Sequence, residues 1–139
     1  MTELAAGSGL FSPGLFDGYQ GFRHEPAAGF ALSVTRQPAR DIVTCLGGGY
    51  VASGPAGLSR LPTPVWPPGL KLLPDEGAGE VQTPLRVPPG VTLNSGDLVL
   101  FRHAKAGELC EHFNELYAVQ GGEVVGTLPT YRGEGMQFP

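Results

Sequence analysis

Glycine and proline limit the folds open to this chain more than any other residues do. Glycine supplies 22 and proline 14 of the 139 residues. Both residues favour turns, and proline also interrupts helices and strand ladders. They alternate with short runs of Val, Leu, Phe and Tyr. This pattern predicts short strands joined by turns, and the length suits one domain with a buried core.

Charge and composition exclude several classes of function. The net charge is −4 and the sequence contains no cluster of Lys and Arg, so we expect no nucleic acid partner. No apolar run approaches the roughly 20 residues of a membrane span, and the start lacks a basic signal peptide. Cys45 and Cys110 form no CxxC motif. We therefore expect a reduced, cytoplasmic protein without membrane contact.

The first clear strand signals lie between residues 30 and 50. Residues 30–36 (FALSVTR) alternate apolar and polar side chains, which is typical of a half-buried strand. Residues 42–46 (IVTCL) follow after turn-forming residues, so the two segments are predicted to form a hairpin. Residues 47–50 (GGGY) indicate a bulge or a close backbone approach.

The middle of the chain is rich in proline. Five prolines between residues 55 and 68 predict an irregular surface connection, with Trp66 packed onto the core. Residues 80–87 (EVQTPLRV) are predicted to form a strand that Pro84 interrupts or places at a sheet edge.

The last forty residues have the most regular pattern. Residues 97–102 (DLVLFR) predict a strand buried at least partly on both faces, and residues 117–129 predict a hairpin that turns at two glycines. Between them lies one short helix near 106–115. Its predicted apolar side carries Leu109, Phe113 and Leu116, and its predicted exposed side carries Glu108, Glu111, His112 and Glu115. The fold class predicted is mostly β: an antiparallel β-barrel or sandwich with one short helix.

Side chains able to do chemistry cluster after the strand at 97–102. His103, Glu108 and Cys110 offer the nitrogen, oxygen and sulfur ligands that zinc accepts, although their spacing matches no standard metal loop. The alternative is a partly exposed histidine at a strand end with Cys110 as a core residue. Cys45 lacks a basic neighbour and is predicted to serve packing.

A Gly-Ser-Gly turn at residues 7–9 offers a second candidate site. Free backbone N–H groups in such a turn can hold a phosphate, but the segment fits neither standard phosphate-loop spacing. An ordinary turn is the alternative.

The segment 96–135 resembles the closing segment of the D-serine dehydratase and D-threonine aldolase family. The likeness is strongest to members described as amino acid deaminase/aldolase, in which RHAKAGEL is a familiar string. The matching motifs follow one another in the family's order: Gly96-Asp97, His103, the short helix, Tyr117, Gly121-Gly122, Leu128-Pro129-Thr130 and Arg132-Gly133.

The resemblance also covers the start of the chain. Residues 2–9 (TELAAGSG) are similar to the last strand of the (β/α)8 barrel that precedes the β domain in this family. Residues 1–23 are then expected to be a remnant of that barrel or a linker, and residues 24–139 the β domain. The expected partners are the missing (β/α)8 barrel domain, a second copy in a homodimer, and a small amino-acid substrate.

The resemblance implies pyridoxal phosphate chemistry with a possible zinc or manganese ion. His103 matches the family's metal-binding histidine, but Lys105 stands where the family has Cys or Asp. Glu108 is then the first and Cys110 the next choice of second ligand. His103 and Lys105 are the expected catalytic residues, with His103 at the open mouth of the module. Gly7 and Ser8 are expected near the cofactor phosphate.

Neither Lys71 nor Lys105 matches the family's cofactor lysine, so this chain is expected to be inactive alone. Three functions therefore remain open. The chain is the C-terminal domain of a pyridoxal-phosphate D-amino-acid dehydratase, deaminase or aldolase; a stand-alone metal-binding enzyme; or a non-catalytic β-barrel used in assembly.

Overall fold

The computed structural model of the protein describes residues 2–3 and 7–136. Its described part contains eight strands and one α-helix, together with three short 3-10 helices. The strands are β1 (Phe30–Ala39), β2 (Ile42–Leu46), β3 (Thr63–Trp66), β4 (Lys71–Leu72), β5 (Gln82–Arg86), β6 (Leu98–Arg102), β7 (Glu115–Gln120) and β8 (Glu123–Pro129); the helix is α1 (Ala106–His112). The 3-10 helices cover Gly7–Leu10, Gly14–Gly18 and Leu58–Arg60.

Six strands form one antiparallel sheet in the order β3-β6-β1-β2-β5-β4. The sheet curls so that its two edge strands, β3 and β4, approach each other without pairing. The result is a nearly closed barrel, which confirms the predicted mostly β fold with one short helix. The predicted hairpin at residues 30–46 is also confirmed as β1 and β2.

The core lies inside this barrel and follows from the alternation of side chains along the strands. On β6, Val99 and Phe101 are fully buried and lie opposite Leu32 and Phe30 of β1. The Phe30 and Phe101 rings stack with their centres 5.3 Å apart. Leu109 of α1 joins the same cluster and closes one part of it. Burial of such side chains contributes about 2 kcal/mol each.

The two faces of β6 are buried to different degrees, and the prediction for Trp66 is wrong. On β6, Val99 and Phe101 are fully buried, whereas Leu98 and Leu100 on the other face are 49% and 44% exposed. Trp66 is 54% exposed and belongs to edge strand β3, where the sequence predicted an irregular connection with Trp66 on the core. Proline is tolerated there because an edge strand leaves one row of N–H groups unpaired.

The helix is also shorter than predicted. It ends at His112, and the backbone is extended again by Glu115, so Leu116 lies in β7 rather than on the helix. Glu108 is 7% exposed although the sequence placed it on the exposed side of the helix. Its carboxylate accepts a hydrogen bond from the Lys105 backbone N–H at 2.6 Å, which caps the first turn and explains the burial.

Strand β5 lies inside the sheet, between β2 and β4, although Pro84 predicted an edge or an interruption. Strand β4 is only two residues long and pairs with Leu85 and Arg86, so no ladder hydrogen bond is required from Pro84 on that side. The predicted close approach at residues 47–50 is confirmed. A Cβ atom on Gly48 would lie 2.5 Å from the Thr83 hydroxyl oxygen.

Strands β7 and β8 form a separate two-stranded sheet that does not pair with the barrel. The predicted hairpin with Gly121 and Gly122 in its turn is confirmed, and both glycines have positive φ. Every residue of β8 is exposed. We call this pair the β7–β8 hairpin. An isolated two-stranded hairpin is marginally stable in water, so the stability of the β7–β8 hairpin depends on its contacts with the rest of the protein.

The described residues of the segment 1–23 contain two 3-10 helices and no strand. Residues 4–6 of the predicted barrel strand lie outside the described residues. The origin of this segment as a barrel remnant stays a prediction.

Candidate functional site

The loop between β6 and α1 carries His103 and Lys105, and the segment 7–19 packs directly against it. The Gly14 N–H donates to the His103 carbonyl at 3.0 Å, and the Leu15 N–H donates to the Ala104 carbonyl at 3.2 Å. These two hydrogen bonds extend the line of β6 beyond its last residue. The N-terminal segment is therefore a wall of the candidate site.

Arg102 fixes this wall in place. Its guanidinium donates to the Ser12 carbonyl at 2.8 Å and 3.1 Å and to the Pro13 carbonyl at 3.2 Å. It also forms an ion pair with Asp17 at 2.8 Å, and its own side chain is only 12% exposed. A guanidinium can hold several carbonyls at once because its donors have a fixed planar geometry. Sequence analysis missed this role because the three acceptors, on Ser12, Pro13 and Asp17, lie far from Arg102 along the chain.

His103 is fully buried, which makes the predicted position at an open mouth wrong. Its ring meets the edge of the Phe11 ring at 6.2 Å between centres. Neither ring nitrogen has a hydrogen-bond partner among the described residues. Such buried, unpartnered nitrogens are rare in native proteins.

Burial, and to a smaller extent the positive charge of Arg102, lower the pKa of His103 from 6.5 to about 4. The Ala28 backbone acts in the opposite direction, but its geometry falls short of a hydrogen bond to the ring. Burial dominates because His103 is 0% exposed. The imidazole is therefore neutral at neutral pH.

The three predicted metal ligands do not form a metal-binding group. Among the described residues, no set of three or more His, Cys, Asp or Glu side chains is arranged to hold a metal ion. Glu108 is engaged in the helix cap. Burial and then the nearby Glu108 charge raise the pKa of the Cys110 thiol, which opposes the thiolate form that metals need. The described residues thus do not fit zinc or manganese without further ligands.

Cys45 behaves as predicted. It is fully buried in β2, and burial raises the pKa of its thiol to about 11. A thiol with so high a pKa is a poor nucleophile at neutral pH.

Ser8 and Lys105, which the sequence placed in different parts of the site, line one cavity. Its volume is about 530 Å³. The wall is formed by the N-terminal segment, the 3-10 helix at Leu58–Arg60 and the start of α1, with these lining residues: Ser8, Pro13, Leu15, Phe16, Gly18, Tyr19, Arg60 and Lys105. We call this space the Lys105 cavity. Gly7 belongs to the same 3-10 helix as Ser8 but is not among the lining residues.

Lys105 is held in the Lys105 cavity by two hydrogen bonds. Its ammonium donates to the Ser53 carbonyl at 2.8 Å and to the Ser53 hydroxyl at 3.1 Å. Its backbone N–H is held by Glu108. A lysine side chain has no acceptor, so only this half of a capping box forms. Arg60 also lines this cavity. The sequence analysis did not identify it, because it lies in a proline-rich region that shows no helix or strand pattern.

A larger concavity of about 910 Å³ lies elsewhere on the protein and contains none of the predicted site residues. Its lining includes Arg40 and Lys71, and the ion pair between Arg86 and Asp41. Both members of this pair are 55% exposed, so water solvates these charges. We regard the smaller Lys105 cavity as the better candidate because Ser8 and Lys105, two of the predicted site residues, both line it.

The chain was compared with models of known protein families and with curated proteins, and neither comparison gave a match. Within the part of the chain that the structure describes, none of the helices has the length and apolar character needed to traverse a bilayer.

Proposed function

We propose that this chain is the C-terminal β domain of a pyridoxal-phosphate-dependent D-amino-acid dehydratase, deaminase or aldolase that acts on 3-hydroxy amino acids. It contributes residues to an active site and is inactive alone. In this proposal a (β/α)8 barrel domain supplies the cofactor lysine, and the whole enzyme is a cytoplasmic homodimer.

The observation that carries the proposal is the Lys105 cavity. The resemblance named Ser8 for the cofactor phosphate and Lys105 for catalysis, and both side chains line this one cavity. A hydroxyl beside an ammonium group is chemically suited to a phosphate or a carboxylate. The described residues therefore fit the anionic end of the cofactor or substrate, whereas the lysine that would carry the cofactor is not assigned to this chain.

Pyridoxal phosphate, when bound, supplies the electron sink for bond cleavage next to the amino group. The residues of this chain have simpler tasks. Lys105 and Ser8 bind and orient an anionic group, and the aromatic rings of Phe16 and Tyr19 exclude water from one side of it. His103 supports the loop that presents Lys105, because its ring is buried and its carbonyl is bonded to Gly14. No step is assigned to a metal.

The test is to express this chain together with any coding sequence upstream of it and to measure two properties. These are the absorbance of bound cofactor and the release of ammonia or aldehyde from 3-hydroxy amino acids. We expect Lys105→Gln in this protein to lower kcat/KM by at least about tenfold, which corresponds to about 1.4 kcal/mol. Lys71→Gln, which alters an exposed lysine outside the Lys105 cavity, is the matched control.

Absence of cofactor absorbance in the expressed protein would refute the proposal. Equal turnover in the Lys105→Gln and Lys71→Gln variants would remove Lys105 from the active site and would refute it as well.

One observation favours the alternative of a non-catalytic assembly domain. The β7–β8 hairpin exposes Tyr117, Val119 and Val124, each by 64% or 65%, and these residues follow one another on one face. Contiguous exposed apolar residues mark interaction surfaces. If the expressed protein binds no cofactor but loses its oligomeric state on Val119→Thr, this alternative replaces the enzyme proposal. The stand-alone metal enzyme has no such support.

A further inference from the structure

The Lys105 cavity carries a local positive charge on a protein that is negative overall. The chain has a net charge of −4, yet the cavity is lined by Arg60 and Lys105 and by no described Asp or Glu. Asp17, which stands between the lining residues Phe16 and Gly18, is already paired with Arg102. Two cations of this kind raise the local concentration of anions.

Among the residues that the structure describes, Arg60 has no counter-charge. Its Nε atom is buried without a hydrogen-bond partner, and Arg60 takes part in neither of the two salt bridges formed by the described residues. The guanidinium lies against Gly54, where an added Cβ atom would be only 3.0 Å from Nε. Because Nε has no accessible surface, an oxyanion in the cavity would be bound by the terminal nitrogen atoms of the guanidinium, which make no hydrogen bond within the described residues.

Lys105 and Ser8 complete the polar lining. The Lys105 ammonium uses two of its three N–H donors on Ser53, which leaves one for a ligand. The Ser8 hydroxyl makes no hydrogen bond within the described residues, so it is free to donate. A guanidinium, an ammonium and a hydroxyl around one space form a donor set with no competing acceptor charge.

We propose that the Lys105 cavity binds a small oxyanion, a carboxylate or a phosphate, through Arg60 and Lys105 with help from Ser8. This inference rests on the anion-binding role that the proposed function gives to Lys105 and Ser8, and it extends that role because the isolated chain should bind the anion without a barrel domain or cofactor. It also assigns Arg60, which the family resemblance does not include.

The experiment uses the full 139-residue chain. Inorganic phosphate and succinate are titrated separately at constant ionic strength, and binding is followed by the backbone amide NMR signals of Ser8, Arg60 and Lys105. Constant ionic strength matters because unspecific attraction to exposed charges is screened by salt. Tighter binding of phosphate identifies a phosphate ester as the natural anion, and tighter binding of succinate identifies a carboxylate.

Arg60→Gln and Lys105→Gln should each weaken binding of the preferred anion by about tenfold, the effect of losing one charge-assisted hydrogen bond. Arg60→Lys should weaken it less, because the charge remains while the fork of donors is lost. The matched control is Arg40→Gln, which removes a cation from the larger concavity. We expect it to leave affinity unchanged. Melting curves of all four variants establish that they fold.

The inference is overturned if neither anion shifts the three signals, or if Arg40→Gln weakens binding as much as Arg60→Gln does. The experiments can reject this inference and the proposed function independently of each other. Anion binding by this chain, with no cofactor bound in the longer protein, would retain the inference and reject the enzyme. Cofactor-dependent turnover without anion binding by this chain would do the reverse.

Discussion

The buried imidazole of His103 makes the stability of this protein depend on pH in a predictable way. The pKa of the ring falls from 6.5 in a solvated chain to about 4 in the folded protein. Between these values the unfolded chain binds a proton that the folded protein does not. Stability from this residue is therefore complete above about pH 6.5 and is lost as the pH falls toward about 4.

The size of the effect follows from the same two values. When the ring is protonated in both the folded and the unfolded state, the free energy of unfolding is about 3 kcal/mol lower than when it is neutral in both. At about pH 5 the unfolded ring is almost fully protonated while the folded ring is mostly neutral, so the free energy of unfolding is lower by about 2 kcal/mol than at about pH 7.5.

The assay is urea unfolding followed by circular dichroism across this pH range, for the native chain and for His103→Leu. Leucine fills much of the space of the ring and cannot titrate, so the variant should lose less stability than the native chain by about 2 kcal/mol over the same interval. Other titrating groups occur in both proteins and cancel in the difference. Parallel pH profiles for the two proteins would show that the ring is not buried as described.

Three further perturbations test other parts of the structure. Glu108→Ala should lower the free energy of unfolding by about 1 kcal/mol through loss of the α1 cap, whereas Glu108→Gln, which keeps an acceptor, should lower it less in the same urea assay. Thr83→Val should cost about 1–3 kcal/mol because the hydroxyl donates to the Gly47 carbonyl at 2.6 Å and accepts from the Gly79 N–H; an unchanged midpoint would contradict that. Val119→Thr combined with Val124→Thr should reduce self-association in sedimentation velocity without lowering the melting temperature of the barrel.

Local signals in the sequence predicted local structure well. The alternation in residues 30–36 and the turn after it predicted the β1–β2 hairpin, and Gly121-Gly122 predicted the β7–β8 hairpin. In both cases the pairing strands are neighbours along the chain, so the pattern of side chains and the turn chemistry decide the result together.

Long-range pairing accounts for most of the errors. Strand β3 exists because it pairs with β6, where Thr63 lies opposite Arg102, and no local pattern among the prolines indicates that partner. The same pairing leaves Trp66 on an edge and brings Arg60 to the Lys105 cavity. The Arg60 role could not be predicted for this reason. Glu108 is different, since a glutamate three residues after the N-cap residue, here Lys105, is a local cap signal that the amphipathic pattern concealed.

The burial of His103 lies between these cases. A histidine at a strand end is commonly exposed, and the residues that cover this one come from the N-terminal segment through Phe11. The sequence located the loop and its Lys105 correctly but not the burial of His103.

The unpaired boundary between β3 and β4 has a consequence for motion. Strands β3 and β4 contact each other there without forming backbone hydrogen bonds. We therefore expect the amide protons of β3 and β4 to exchange with water earlier than those of β1, β2 and β5. Arg60 sits three residues ahead of β3. Local opening between β3 and β4 would therefore move the Arg60 guanidinium in the Lys105 cavity. An anion bound to Arg60 would in turn slow the exchange of the β3 and β4 amide protons.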